Sequence, residues 1–173
     1  MRPALNDVMT GSAPQNDIII EPLTREVDLD LVVSLEARCF TNPWSRDVLA
    51  RQLAESQTTR IFLLRLPEAP VAAFCSCWFL FDELHVNTLV VDFPFRRQGF
   101  GRLLVHHVLV DAARSGVRRA TLEVRESNVA ARRLYERLGF TVTARRPKYY
   151  AQPEEDALIL WREDLTNLDH PTC

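Results

Sequence analysis

The chain has 173 residues, of which 47% are hydrophobic and 25% charged, and its formal net charge is −2. That length suits one domain with its own core, and the composition excludes a disordered or fibrous protein. A balance so near neutrality gives no broad field for nucleic acid or a membrane surface. No apolar stretch reaches spanning length, and the polar N-terminus lacks a signal-peptide core, so a cytoplasmic protein is expected. Cys39, Cys75, Cys77 and Cys173 have no metal spacing and read as reduced thiols.

Residues 1–17 are rich in Pro, Asn, Ser and Gly without a period, and a disordered arm is expected there. The domain follows over 18–164. It opens with a short strand, Ile18 to Glu21, and a helix carrying Leu29, Val32, Leu35 and Phe40. Asn42-Pro43-Trp44-Ser45 breaks that helix, and Ser45 is an N-cap for the next, Arg46 to Glu55. Two β-rich runs, Arg60 to Leu66 and Val71 to Phe81, flank a turn at Pro67 to Pro70. Leu84 to Val91 is a further strand, ended by Asp92-Phe93-Pro94. A helix from Gly101 to Ser115 stops at Gly116. Arg119 to Val124 alternates, with Thr121, Glu123 and Arg125 on one face. Ser127 or Asn128 caps a helix that turns Ala131, Leu134, Tyr135 and Leu138 inward and ends at Gly139. Strands at Phe140 to Arg145 and Ala157 to Trp161 bracket a loop at Tyr149-Tyr150, and 165–173 reads as a tail. Early hairpins and later crossovers imply a mixed α/β (α+β) sheet.

The stretch Arg96-Arg97-Gln98-Gly99-Phe100-Gly101 stands between a strand and a helix. Glycines remove Cβ atoms where a backbone must approach something closely. The first-turn N–H groups of the helix, with Arg96, Arg97 and Arg102 nearby, make an anion site suited to a pyrophosphate. The dinucleotide and Walker patterns both fail. On the hexapeptide alone, a simple Gly turn before a helix explains the pattern equally well.

The order of several motifs goes further. Leu122-Glu123-Val124-Arg125-Glu126-Ser127-Asn128, then Leu134-Tyr135-Glu136-Arg137-Leu138-Gly139-Phe140, follow the glycine loop, and Tyr149-Tyr150 and Glu155-Asp156-Ala157 come after. Together with Pro43-Trp44-Ser45, they make the chain resemble the GCN5-related N-acetyltransferases (GNAT), and among them the ribosomal-protein-alanine N-acetyltransferases. In that family a Pro stands two residues after the strand's last Val; here it is one later, at Pro94.

The resemblance implies a mixed sheet of about seven strands, with strands 4 and 5 splayed apart, flanked by about four helices. It implies acetyl-CoA as cosubstrate, no metal, and a protein N-terminal amine as acceptor, from a small-subunit ribosomal protein. The pantetheine arm would pair with backbone at Leu89, Val90 and Val91. The N–H groups of Arg97, Gln98, Gly99, Phe100, Gly101 and Arg102 would hold the pyrophosphate, with Arg96 also at the cofactor, and Asn128 would touch the cofactor unless it is only a helix cap. Glu123 matches the family's general base and Tyr135 its general acid. An α-amine with a pKa of about 8 is roughly a tenth neutral at pH 7, while a lysine, at about 10.4, is almost wholly charged, so a modest base suffices. Taken alone, Glu123 reads better as a surface strand residue paired with Arg125 or Arg145, and Tyr135 better as a helix core aromatic. Trp44 suits a core anchor or an acceptor groove; His85, His106 and His107 read as structural. The alternatives are an acetyltransferase for another protein terminus or a small amine, and a CoA-binding module without catalysis.

Overall fold

The computed structural model describes residues 17–40, 43–54 and 57–168. Its elements run β1 (Ile19–Pro22), α1 (Glu26–Cys39), α2 (Arg46–Ala54), β2 (Thr59–Leu66), β3 (Ala69–Leu80), β4 (Glu83–Val91), α3 (Phe100–Arg114), β5 (Arg119–Arg125), α4 (Val129–Arg137), β6 (Thr141–Ala151) and β7 (Glu154–Arg162). The seven strands form one sheet in the order β1-β2-β3-β4-β5-β7-β6. Only β4 and β5 are parallel; every other pairing is antiparallel.

Side-chain alternation divides the sheet into two faces, and each buries its own cluster. Leu64, Cys75, Cys77, Leu84, Val86, Leu122 and Val124 meet α3 and α4 on one face. Ile61, Leu63, Phe74 and Val90 meet Leu29, Val32, Leu35 and Leu49 of α1 and α2 on the other. Ser45 caps α2, with the Val48 N–H 3.4 Å from its hydroxyl. Asn128 caps α4, accepting from the Ala131 N–H at 3.1 Å. Trp44 packs against the second cluster, and its N–H donates to Glu36 at 3.4 Å.

Two expectations change. The strand expected to end at Arg145 runs on through Pro147 to Ala151, taking in the presumed Tyr149-Tyr150 loop. The register moves from Arg146 opposite Ala157 to Tyr150 opposite Glu155, so the residues between form a bulge. An edge strand with a bulge accommodates a proline that cannot donate to the ladder. Second, the segment read as a tail from Leu165 supplies core residues: Leu165 is 1% exposed and Leu168 5%. The Leu165 N–H bonds the Arg118 carbonyl at 2.9 Å, and His106 contacts the Leu168 carbonyl at 3.2 Å. The expected arm, apart from Asp17, and residues 169–173 lie outside the described residues, as do Asn42 and Glu55.

Candidate active site

β4 and β5 pair only from Glu83 opposite Arg119 to Val86 opposite Leu122. Beyond that point they part. The parting coincides with a bulge in β4: Ser76 of β3 faces Thr88, but Cys77 faces Val86, leaving Asn87 over. A bulge bends its strand and ends local pairing. Leu89, Val90 and Val91 therefore run beside a gap, paired only to Cys75, Phe74 and Ala73 of β3. Asn87 Nδ2 is buried at the vertex with no hydrogen-bond partner among the described residues. An amide donor left dry and unpaired is costly unless something else meets it.

The gap opens toward the glycine loop. Asp92 accepts from the Phe93 N–H at 2.8 Å, and Phe93 to Phe95 make a single 3-10 turn, so the shifted Pro94 fits inside that turn. Arg97 and Gly99 take left-handed φ of 63° and 88°. α3 then begins at an N-cap glycine, with no side chain capping it among the described residues, which leaves first-turn N–H groups for an anion. Arg97, Gln98, Gly99 and Arg102 are exposed there. Phe100 is half-buried, its ring edge-on to Phe95.

Several of these side chains have other work. The Arg96 guanidinium donates to the Val91 carbonyl at 2.9 Å and stacks 3.8 Å from the Phe93 ring centre, so it braces the loop against β4. Gln98 holds the Pro94 carbonyl at 3.0 Å. A Cβ on Gly101 would lie 3.1 Å from Leu134 and 3.3 Å from Val91, whereas one on Gly99 would meet nothing within 4 Å. The close approach at Gly101 is thus between α3, α4 and β4.

Glu123 lies on β5 just past the last β4 pair. Its Oε2 is 2.7 Å from His85 Nε2, and its Oε1 is 3.6 Å from Arg146. His85 stands opposite Thr121 on β4, so Thr121, Glu123 and His85 share a face. The Trp78 ring packs edge-on to His85 at 5.6 Å between centroids. α1 and α2 pack on β2, β3 and β4. On the same face farther along, Thr121, Glu123, Arg125, Ile159 and Trp161 are only half-buried.

Tyr135 comes from α4, on the opposite side of the sheet. It is 6% exposed, edge-on to Phe140. Burial pushes its phenol well above the ordinary tyrosine range, and Cys75 and Tyr150 add to the rise. Tyr150 projects from β6 beneath the Arg125 guanidinium, 4.1 Å from its ring centre, and its own phenol is pushed up to about 12, chiefly by burial.

The partners expected for Glu123 do not match. Arg125 goes to Glu155 at 3.2 Å, and Arg145 goes to Glu126 and Asp156. His85, read from sequence as structural, is Glu123's hydrogen-bond partner. The available signal was parity: once Leu84 to Val91 and Arg119 to Val124 are set parallel, His85 and Glu123 fall on one face.

The profile of the acetyltransferase (GNAT) family matches residues 29–140. A relative from Salmonella typhimurium, named ribosomal protein bS18-alanine N-acetyltransferase, is 37% identical over 136 residues, which is 77% of this chain and 89% of the relative. The crystal structure of a ribosomal-protein-alanine N-acetyltransferase from Escherichia coli superposes with a TM-score of 0.76 at 34% identity, covering 83% of this chain and 92% of that one. A chain of the NatC complex, solved with Gag peptide and CoA, shares the fold at a TM-score of 0.73 and 24% identity, covering 85% of this chain and 98% of its own.

Proposed function

The chain belongs to the acetyltransferase (GNAT) family, and on that premise we propose that it transfers acetyl from acetyl-CoA to the N-terminal alanine amine of a small-subunit ribosomal protein. The names of its relatives support this acceptor. A ribosomal acceptor would place the reaction in the cytoplasm. The observation that carries the chemistry is Glu123, held by His85 at 2.7 Å where β4 and β5 separate.

The residues present fit acetyl-CoA. The unpaired Asn87 amide at the vertex, the strand edge at Leu89 to Val91 and the uncapped N-terminus of α3 provide donors along one path. Arg97, Gln98, Gly99, Phe100, Gly101 and Arg102 offer backbone N–H groups to the diphosphate, while Arg96 braces them. Asn128 has its side-chain oxygen in the α4 cap. The cosubstrate supplies an activated acetyl thioester; no metal is called for.

Glu123 takes the proton that the acceptor amine loses as its nitrogen bonds to the acetyl carbon and the carbon–sulfur bond breaks. His85 fixes the carboxylate toward the gap and offers a route for that proton. Tyr135 holds its O–H toward the departing sulfur. Its phenol is pushed above the usual value of about 10, while a thiol sits near 8.5. Complete transfer to the thiolate would run uphill, so Tyr135 first stabilises it by hydrogen bonding. The partly exposed surface at Glu123, beside Trp78, Tyr149 and Tyr150, would admit an extended peptide terminus. Incubating the enzyme and labelled acetyl-CoA with ribosomal proteins, polyamines or aminoglycosides tests the assignment. Label on one ribosomal-protein α-amine is expected; label confined to small amines would refute it.

A further inference from the structure

Building on the reading of Glu123 as the base, we propose that Arg146 makes the site select an α-amine over a lysine ε-amine. Both oxygens of Glu123 are engaged: His85 holds Oε2, and the Arg146 guanidinium lies 3.6 Å from Oε1. The protein's own cation thus occupies the position that an acceptor ammonium would seek.

The surrounding charges leave Arg146 to this task. Arg125 of β5 is paired with Glu155 of β7, Arg145 with Glu126 and Asp156, and Lys148 with Glu154. Among the described residues, Glu123 is the one carboxylate within salt-bridge distance of Arg146. The other titratable groups beside the Glu123–Arg146 pair are His85 of β4 and the Tyr149 and Tyr150 phenols of β6. Arg146 is half exposed, its guanidinium 4.9 Å from the Tyr149 ring centre. It directly precedes the β6 bulge, where Lys148 takes a φ of 52°. A side chain so placed can swing aside at the cost of one partly solvated contact.

The selectivity follows from charge. At neutral pH about a tenth of α-amines are neutral, but only about one lysine in 2,500. That difference alone favours the α-amine about 250-fold. A charged amine must also approach a guanidinium and compete with it for Glu123, whereas a neutral amine meets no such repulsion. Arg146 therefore multiplies the existing preference. Without it, Glu123 Oε1 would be free to receive an ammonium and deprotonate it in place.

The test compares wild type, Arg146→Gln and Arg146→Lys on two peptides. One has a free N-terminal alanine and no lysine; the other is N-terminally blocked with a single internal lysine. In Arg146→Gln, the α-over-ε ratio of kcat/KM should fall about tenfold, and kcat/KM for the α-amine peptide should rise less steeply from about pH 7 to about pH 9. Arg146→Lys should keep the ratio and the slope. In the wild type, added salt should raise relative activity on the lysine peptide by screening the guanidinium. This arm needs no variant to fold. An unchanged ratio in Arg146→Gln, equal loss in both variants, or a ratio indifferent to salt would overturn the proposal. If the wild type acetylated neither peptide, the underlying functional reading would fail, and this inference with it.

Discussion

Gly99 and Gly101 flank Phe100, yet they should fail in different ways. A Cβ on Gly101 would sit 3.1 Å from Leu134 and 3.3 Å from Val91, in a buried seam. Overpacking costs about 1–3 kcal/mol, and better helix propensity returns up to about 1 kcal/mol for alanine. Gly101→Ala should therefore cost about 1 kcal/mol and Gly101→Val about 3 kcal/mol. For a chain of this size the valine variant should melt about 6–12 °C lower. Gly99 differs: none of the described residues lies within 4 Å of its missing Cβ, but φ is 88°. A left-handed alanine costs about 1–2 kcal/mol, offset in part by a stiffer unfolded chain, so Tm should move by less than about 4 °C. Its methyl would instead stand over the N–H groups offered to the diphosphate. Loss of one hydrogen bond to a charged group, about 1.5–3 kcal/mol, weakens acetyl-CoA binding about 10- to 100-fold. Thermal melts and calorimetric titration of CoA measure both effects. Wild-type affinity in Gly99→Ala together with an unshifted melt in Gly101→Val would refute the division of labour.

Tyr135→Phe should keep acetyl-CoA affinity and lower kcat about tenfold or more. Raising the pH should not restore it, whereas an acyl donor with a more acidic thiol should; full rescue by alkali would return Tyr135 to a packing role. Cys75, fully buried, has its thiol pushed up to about 12 by burial. The folded chain thus holds that proton more tightly than the unfolded chain, where the value is about 8.5. The resulting stability is whole below about pH 8.5 and is lost as pH rises toward 12, up to about 5 kcal/mol. Urea unfolding should show this loss, and Cys75→Ala should flatten it; an equal slope in both proteins would contradict the assignment. Ending the chain after Asp164 should cost about 3–6 kcal/mol at most, because Leu165 and Leu168 leave the core; an unchanged denaturation midpoint would show that their burial contributes nothing.

The strand and helix pattern was legible because periodicity and caps act locally. Ser45 and Asn128 cap as their residue types suggest, and β5 alternates as read, with Thr121, Glu123 and Arg125 on one face. Contacts between distant segments were less legible. Nothing within Arg96-Arg97-Gln98 says that the Arg96 side chain turns back to Val91 and Phe93 while its neighbours stay exposed. Gly101 carried the same signal as Gly99, yet its constraint is Leu134, on another helix. His85 became Glu123's partner only once β4 and β5 were set side by side. The strand read as ending at Arg145 continues through Pro147 because the bulge that accommodates the proline depends on pairing with β7. Leu165 and Leu168 lie in a short polar segment whose apolar residues have no period, so their burial could not be seen before the sheet was assembled.

The most direct measurement follows a defined peptide with an N-terminal alanine, incubated with acetyl-CoA and either wild type or Glu123→Gln, by tandem mass spectrometry. Wild type should place one acetyl group on the α-amine and release CoA in equal amount. Glu123→Gln should bind acetyl-CoA normally and turn over about a hundredfold more slowly near pH 7, with the deficit narrowing as more amine becomes neutral. An unmodified peptide despite bound acetyl-CoA in the wild type, or full activity in Glu123→Gln, would contradict the account.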